Sequence, residues 1–306
     1  MNQSGSDYSA VAILGMGVTG LSVADFLTRR GIDFMFADTR SAPPGLDVVS
    51  QRYPDIRTML GEFDDRAYDM LETVVVSPGV FLGEPMLQSA RAKGIRLIGD
   101  AELFFEQVNA PVIAITGSNG KSTVTTLVGE MARRSGLNAG VGGNLGTPML
   151  DLLSAERRLY VLEMSSFQLE LFHSSKGAVS GLLNISPDHL DRYPDIDDYH
   201  AAKQRIFKDA ACAVVNRQDP LTYPQADDNL SIISFGTDAP NGDNFGLLTE
   251  NGEIWLVGGG EQLMLQSQLA MQGRHNIANA LAALALGRYA GLPMAAMLAT
   301  LQEFKG

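Results

Sequence analysis

Short apolar runs and amphipathic stretches alternate along the chain: "AVAILG", "GLSVADFLTRRG" and "DFMFADTR", then "TVVVSPG" and "IRLIGD". The short runs, bounded by Gly, Pro or Asp, read as strands buried on both faces, and the stretch after the first glycine loop carries a helical pattern. That order predicts a parallel sheet with crossover helices. Composition changes near Gly99 to Asp100, before the linking helix "AELFFEQV", and Pro111 opens a fresh strand, "PVIAITG". Two domains are therefore expected, residues 1–98 and 99–306.

The second domain repeats the alternation with "LYVLEMSS", "GAVSGLLNIS", "ACAVVN" and "LSIISFG" as strands. In "FGLLTENGEIWL", Asn251-Gly252 separates two apolar runs, a strong hairpin signal, so a small antiparallel appendage joins a mostly parallel α/β architecture. A last helix, Asn276 to about Leu292, is rich in Ala and Leu and reads as mostly buried.

Composition narrows the function classes. With 306 residues, 45% hydrophobic and 19% charged, the chain is an ordinary globular sequence of about two domains. Its one near-membrane-length apolar run, "NALAALALGRYAGLPMAAML", is broken by Arg288 and Pro293, and no signal-peptide pattern opens the sequence, so the expected location is cytoplasmic. The single cysteine, Cys212, permits no internal disulfide and reads as core. A net charge of −12 argues against non-specific nucleic-acid binding.

The chemistry concentrates in loops that follow strands. "VAILGMGVTG" is a strand running into a Gly-x-Gly-x-x-Gly turn, the usual mark of a dinucleotide, and Asp38 at the end of the second strand stands where a ribose-binding acid falls. "PVIAITGSNGKSTVTTLVGEMARRSG" is a strand, a glycine-bearing loop over Gly117-Ser118-Asn119-Gly120, and a helix opened by Lys121-Ser122-Thr123. Amides at such a helix start favour a phosphate, the lysine adds charge, and the Ser122 hydroxyl can ligate phosphate-bound Mg²⁺. The spacing departs from the standard phosphate loop, because Ile115 stands where its first glycine belongs.

Glu163 ends "LYVLE" and either holds Mg²⁺ or is a surface glutamate. Asp188, His189 and Asp191 in "NISPDHLDRYP" follow the next strand; His189 could bind a metal, meet a phosphate, or be satisfied within its loop. Asn276 and Asn279 lie on neighbouring turns and could read a nucleobase edge, with Asn276 capping its own helix as the alternative. Lys203 in "YHAAKQRIF" has no role from spacing alone.

Together, "ITGSNGKST", "LEMSSFQLE", "NISPDHLDRYP", "YHAAKQRIF" and "GRHNIANALAALA" resemble the Mur ligases of bacterial peptidoglycan synthesis, in order and over essentially the whole chain. The resemblance implies a Rossmann-like UDP-binding domain followed by a P-loop-type ATPase domain. It implies ATP-dependent amide formation, adding D-glutamate to UDP-N-acetylmuramoyl-L-alanine through an acyl phosphate, by a cytoplasmic monomer.

Carried over by motif, Lys121 contacts the β- and γ-phosphates within a loop running from Gly117, Ser118, Asn119 and Gly120 to Thr123, and Ser122 and Glu163 hold one of two Mg²⁺ ions. His189 belongs to the second metal site and the substrate, and Lys203 aligns with a lysine that takes up CO₂ as a carbamate. Asn276 and Asn279 fall at the adenine and Asn144 near the substrate. Gly15, Gly17, Val18, Thr19, Thr39, Arg40 and Gly79 fall around the UDP moiety, which displaces the dinucleotide reading of the first loop.

The family continues into a third, Rossmann-type domain that supplies most D-glutamate contacts, whereas this sequence stops at Gly306. A two-domain fragment unable to complete the reaction alone is the expectation. The competing readings are a sister Mur ligase or folylpolyglutamate-type ligase, an NAD-dependent oxidoreductase using the first loop, and a binding module. No hydride-transfer constellation supports the oxidoreductase, and it leaves the second phosphate loop idle.

Overall fold

A computed structural model of the chain describes residues 10–61, 65–189, 191–225 and 229–305, with 65–67 described by backbone alone. Leu190, inside "DHLDRYP", and Gly306 lie outside the described residues. The chain divides into two compact units, Met1–Glu106 and Gln107–Gly306.

The first unit runs β1 (Val11–Leu14), α1 (Val18–Arg29), β2 (Phe34–Asp38), α2 (Leu46–Arg52), β3 (Thr58–Leu60), β4 (Thr73–Val76), α3 (Pro85–Ala92) and β5 (Arg96–Ile98), with α4 (Asp100–Gln107) following. Its five strands pair in the order β3-β2-β1-β4-β5, every pair parallel. β1 and β4 are buried along their whole length, because a central parallel strand is covered on both faces by crossover helices. α1 contributes Val23, Ala24, Phe26 and Leu27 to that cover. Strand order reverses between β1 and β4, so the loops after them diverge and leave a crevice at the carboxyl edge of the sheet.

The second unit runs β6 (Val112–Thr116), α5 (Lys121–Arg134), β7 (Ala139–Gly143), α6 (Met149–Leu152), β8 (Leu159–Glu163), α7 (Ser166–Leu169), β9 (Val179–Leu182), α8 (Ile196–Gln204), β10 (Cys212–Asn216) and β11 (Ser231–Phe235). β12 (Gly246–Glu250), β13 (Glu253–Gly258), β14 (Glu261–Leu265), α9 (Arg274–Tyr289) and α10 (Met294–Glu303) complete it. The six-stranded sheet is parallel throughout, in the order β11-β10-β9-β6-β8-β7.

α5 buries Val124, Leu127, Val128, Met131 and Ala132, one stripe of the helix, against a core that includes the nearly continuous buried run Ala280 to Leu286 of α9. A helix apolar on every side is a core helix, as the Ala- and Leu-rich sequence of α9 implies. Its observed span starts at Arg274 rather than Asn276 and stops at Tyr289 rather than near Leu292. Cys212 sits buried in β10, and burial pushes its thiol pKa up.

The hairpin forms at Asn251-Gly252, where both residues take positive φ, 51° and 82°, as the right-handed twist of the flanking strands demands. It extends to a third strand, β14, that its sequence does not announce. Among the described residues no helix is long and apolar enough to cross a membrane.

Candidate functional site

In the first unit, the glycine loop leaves β1 with Gly15 at φ 102° and enters α1 directly after Gly17. A Cβ on Gly20 would lie 2.0 Å from the Gly15 carbonyl oxygen, so only glycine lets the helix close on the loop. Gly17 and Val18 are exposed beside this turn, with Thr19 half-buried; Thr39 and Arg40 are exposed after β2, and Gly79 after β4. All of these follow the carboxyl ends of neighbouring strands, and the amides at the start of α1 are free of intrahelical acceptors.

Asp38, the supposed ribose acceptor, is committed elsewhere. Its Oδ1 accepts from the Arg40 Nε at 2.8 Å and from the Arg40 backbone N–H at 3.1 Å. Its Oδ2 accepts from a terminal Arg40 nitrogen at 2.8 Å and from the Met16 N–H at 3.2 Å. Burial works to raise its pKa, but the Arg40 and Met16 donors outweigh it and hold the carboxyl below its ordinary value. The carboxylate therefore braces the glycine loop and orients Arg40, and no lone pair points to a ribose.

In the second unit, β6 ends at Thr116 and the loop turns through Gly120, at φ 82°, into α5. Lys121 folds back so that its Nζ donates to the carbonyls of Gly117, at 2.9 Å, and Ser118, at 3.1 Å. The Ser122 hydroxyl donates to Glu163 Oε2 at 2.8 Å, across from β6 to the end of β8. Asn144, expected near a substrate, lies on the same carboxylate: its Nδ2 donates to Glu163 Oε1 at 2.7 Å, and its backbone N–H to the Glu163 carbonyl at 2.8 Å.

Glu163 is 2% exposed, so the surface reading of this residue fails. A buried carboxylate held by a hydroxyl and an amide, and forming no ion pair among the described residues, calls for a cation. Mg²⁺ takes one or two protein oxygens and fills its remaining positions with water and phosphate, so Ser122 and Glu163 at a helix N-terminus fit it. Among the described residues no group of three His, Cys, Asp or Glu gathers into a metal cage.

Lys203 is 1% exposed, although a lone helical lysine normally faces water. Its Nζ donates to the Gly117 carbonyl at 2.9 Å and to Thr116 Oγ1 at 3.2 Å, and stands 4.8 Å from the centre of the Tyr199 ring. Burial, reinforced by the charge of Lys121, pulls its pKa from 10.5 down to about 7, against the opposing pull of Asp188 and Glu163. His189 stands apart from the Ser122–Glu163 pair in its contacts. Its ring meets Phe167 at 4.9 Å and Tyr199 at 6.3 Å, and its Nε2 lies 3.6 Å from Asp188.

A cavity of about 450 Å³ opens beside the loop, lined by Asn119, Gly120, Thr123, Asn184, His275, Asn276 and Asn279 among others. Asn276 does not cap its helix: Gly273 is the N-cap, and the Asn276 Nδ2 reaches back to the Gln272 carbonyl at 2.8 Å. Asn184, His275 and Asn216 of this lining have no marker of their own in the sequence beyond their place after a strand or at a helix start.

A glycine turn at a sheet's switch point and, in a separate unit, a Lys-Ser loop facing a buried glutamate are two loops of the kind that receive phosphates. The chain belongs to the Mur ligase family: residues 115–287 match the Mur ligase middle domain, and residues 9–99 the Mur ligase MurD-like N-terminal domain. Within that family it is similar to proteins named UDP-N-acetylmuramoylalanine--D-glutamate ligase. The one from Pseudomonas savastanoi pv. phaseolicola is 51% identical over 96% of this chain and 66% of its own length. The one from Pseudomonas aeruginosa is 47% identical over 100% and 68%.

The chain thus spans about two thirds of the relatives it matches. Among solved structures, the UDP-N-acetylmuramate:L-alanyl-gamma-D-glutamyl-meso-diaminopimelate ligase from Neisseria meningitides shares the fold, with a TM-score of 0.62 at 18% identity, covering 98% of this chain and 99% of that one.

Proposed function

We propose that the chain carries the UDP-substrate-binding and ATP-binding parts of a ligase that joins D-glutamate to UDP-N-acetylmuramoyl-L-alanine in peptidoglycan precursor synthesis. The observation that carries the reading is the hydrogen bond of Ser122, at the start of α5, to Glu163, at the end of β8, with the Lys121 ammonium held on the Gly117 and Ser118 carbonyls of the same loop. Such a group serves phosphoryl transfer, where positioning and charge neutralisation do most of the work.

In the proposed reaction the L-alanyl carboxylate attacks the γ-phosphorus of ATP. The bond to the β-phosphate oxygen breaks, ADP leaves, and an acyl phosphate remains. The amine of D-glutamate then attacks the acyl carbon, loses a proton, and phosphate departs. A carboxylate is a poor electrophile, and phosphorylation gives its oxygen a way to leave.

Lys121 exchanges its two loop carbonyls for the β- and γ-phosphates, while the α5 amides from Gly120 to Thr123 hold the phosphate chain. Ser122 and Glu163 would hold one Mg²⁺, with Asn144 fixing the Glu163 carboxylate through its hydrogen bond. Bound Mg²⁺ supplies charge neutralisation between two anionic reactants. Lys203 is assigned to CO₂ capture: its neutral amine would add to CO₂ with loss of one proton, and Lys203 in that form, with His189, would be the pair to hold a second Mg²⁺. A buried amine whose pKa lies near 7 is neutral often enough to react.

Asn276 and Asn279 face the adenine. In the first unit the Gly15, Gly17 and Gly20 turn, with Val18 and Thr19, takes the UDP diphosphate, and Thr39, Arg40 and Gly79 take the uridine side. D-Glutamate recognition is assigned to the part of the relatives' length that this chain does not span. A cytoplasmic monomer is the proposed form.

Calorimetric titration of the chain tests the reading. ATP with Mg²⁺ and UDP-N-acetylmuramoyl-L-alanine should each bind, NAD should not, and Lys121→Ala should lose ATP alone. Tight NAD binding without UDP-substrate binding, or normal ATP binding by Lys121→Ala, would overturn it.

A further inference from the structure

The phosphate loop does not hold its shape by itself; one side chain from the neighbouring strand end grips it. β9 runs beside β6, and the ladder continues past both strands where the Leu183 N–H donates to the Thr116 carbonyl at 3.0 Å and the Ser118 N–H to the Asn184 carbonyl at 2.9 Å. At Asn119 the backbone leaves the ladder, and the Asn184 carboxamide takes over. Its Oδ1 accepts the Asn119 N–H at 2.8 Å, and its Nδ2 donates to the Asn119 carbonyl at 2.9 Å.

This two-point bridge reproduces with a side chain what a neighbouring strand does with its backbone. The bridge commits the Asn119 amide, as the Asn184 backbone carbonyl commits that of Ser118, which leaves the amides from Gly120 onward, at the α5 start, as those that point to a ligand. An aspartate in its place has no donor for the Asn119 carbonyl, and an alanine leaves both Asn119 groups without that partner.

We propose that Asn184 is a positioning residue, which sets the Gly117–Gly120 loop in its phosphate-accepting shape before any nucleotide arrives. This rests on the reading of the loop as a phosphate site and names a residue that acts on it through the Asn119 backbone. Asn184 also lines the cavity beside the loop, so direct contact with the nucleobase is the competing role.

Calorimetry on the chain with two probes, ATP with Mg²⁺ and inorganic tripolyphosphate with Mg²⁺, separates the two roles. In Asn184→Ala both probes should weaken by the same factor, about tenfold for two lost hydrogen bonds, while UDP binding by the first unit stays at its wild-type value. Weakening of ATP with tripolyphosphate unchanged makes Asn184 a base contact and overturns the proposal, as does no change in either. Should Asn184→Ala lose its cooperative melt, Asn184→Ser carries the same comparison. If the wild-type chain binds neither probe, the phosphate-loop reading itself falls, a result distinct from the others.

Discussion

Lys203→Met should flatten the pH dependence of stability between pH 7 and pH 9. The buried ammonium has a pKa of about 7 in the folded chain and 10.5 when exposed, so the unfolded state binds more protons everywhere between those values. Stability then rises with pH through that window and falls as pH drops toward 7. The full difference is worth about 5 kcal/mol, and the rise from pH 7 to pH 9 about 2 kcal/mol. Lys203 is almost wholly inside, so solvent screening reduces this little.

Methionine fills similar space without a titrating group. It also strips a donor from the Gly117 carbonyl and Thr116 Oγ1, which offsets the absolute stability but not its slope. Urea unfolding at several pH values, in carbonate-free buffer with a chelator, gives both slopes. Equal slopes for wild type and variant would refute the account, because the remaining titrating groups are common to both.

Two further outcomes concern packing. Thr125 is fully buried in α5 and its hydroxyl finds no partner among the described residues, so Thr125→Val should stabilise the second unit by about 1 kcal/mol in thermal or urea unfolding; a loss of stability would mean the hydroxyl is satisfied. Gly20→Ala forces a methyl to 2.0 Å from the Gly15 carbonyl and should cost the first unit about 2 kcal/mol. UDP binding should go with it while ATP binding stays, and unchanged UDP affinity would contradict the close approach of helix and loop.

The strands and helices that carry the two loops were legible because both sheets are parallel: strands buried on two faces read as plain apolar runs. β7 is not, since "AGVGG" sets a single branched residue, Val141, among glycines that disfavour a strand. Its glycines serve close packing instead: a Cβ on Gly142 would meet the Thr147 carbonyl oxygen at 2.3 Å. β3 is three residues at a sheet edge, too short to register as a pattern.

In the site, Lys121 and Ser122 stand out by opening a helix after a glycine loop and Glu163 by ending a strand, and Ser122 and Glu163 share a hydrogen bond. Lys203 did not, because helical spacing cannot distinguish a lysine turned inward from one turned to water, and only resemblance singled it out. Asn184 reads as no more than the tail of a strand, since nothing in "LLNIS" tells that its carboxamide turns back onto another loop.

The Gly117 carbonyl receives both lysine ammonium groups, each at 2.9 Å. One oxygen thus acts as a mooring for two amines, and whenever both are protonated their like charges repel each other. A loop of this kind resembles a cocked latch more than a cup. An arriving anion takes one cation off the mooring and relieves the crowding of the other, so part of the driving force for capture is already present before any new contact is made.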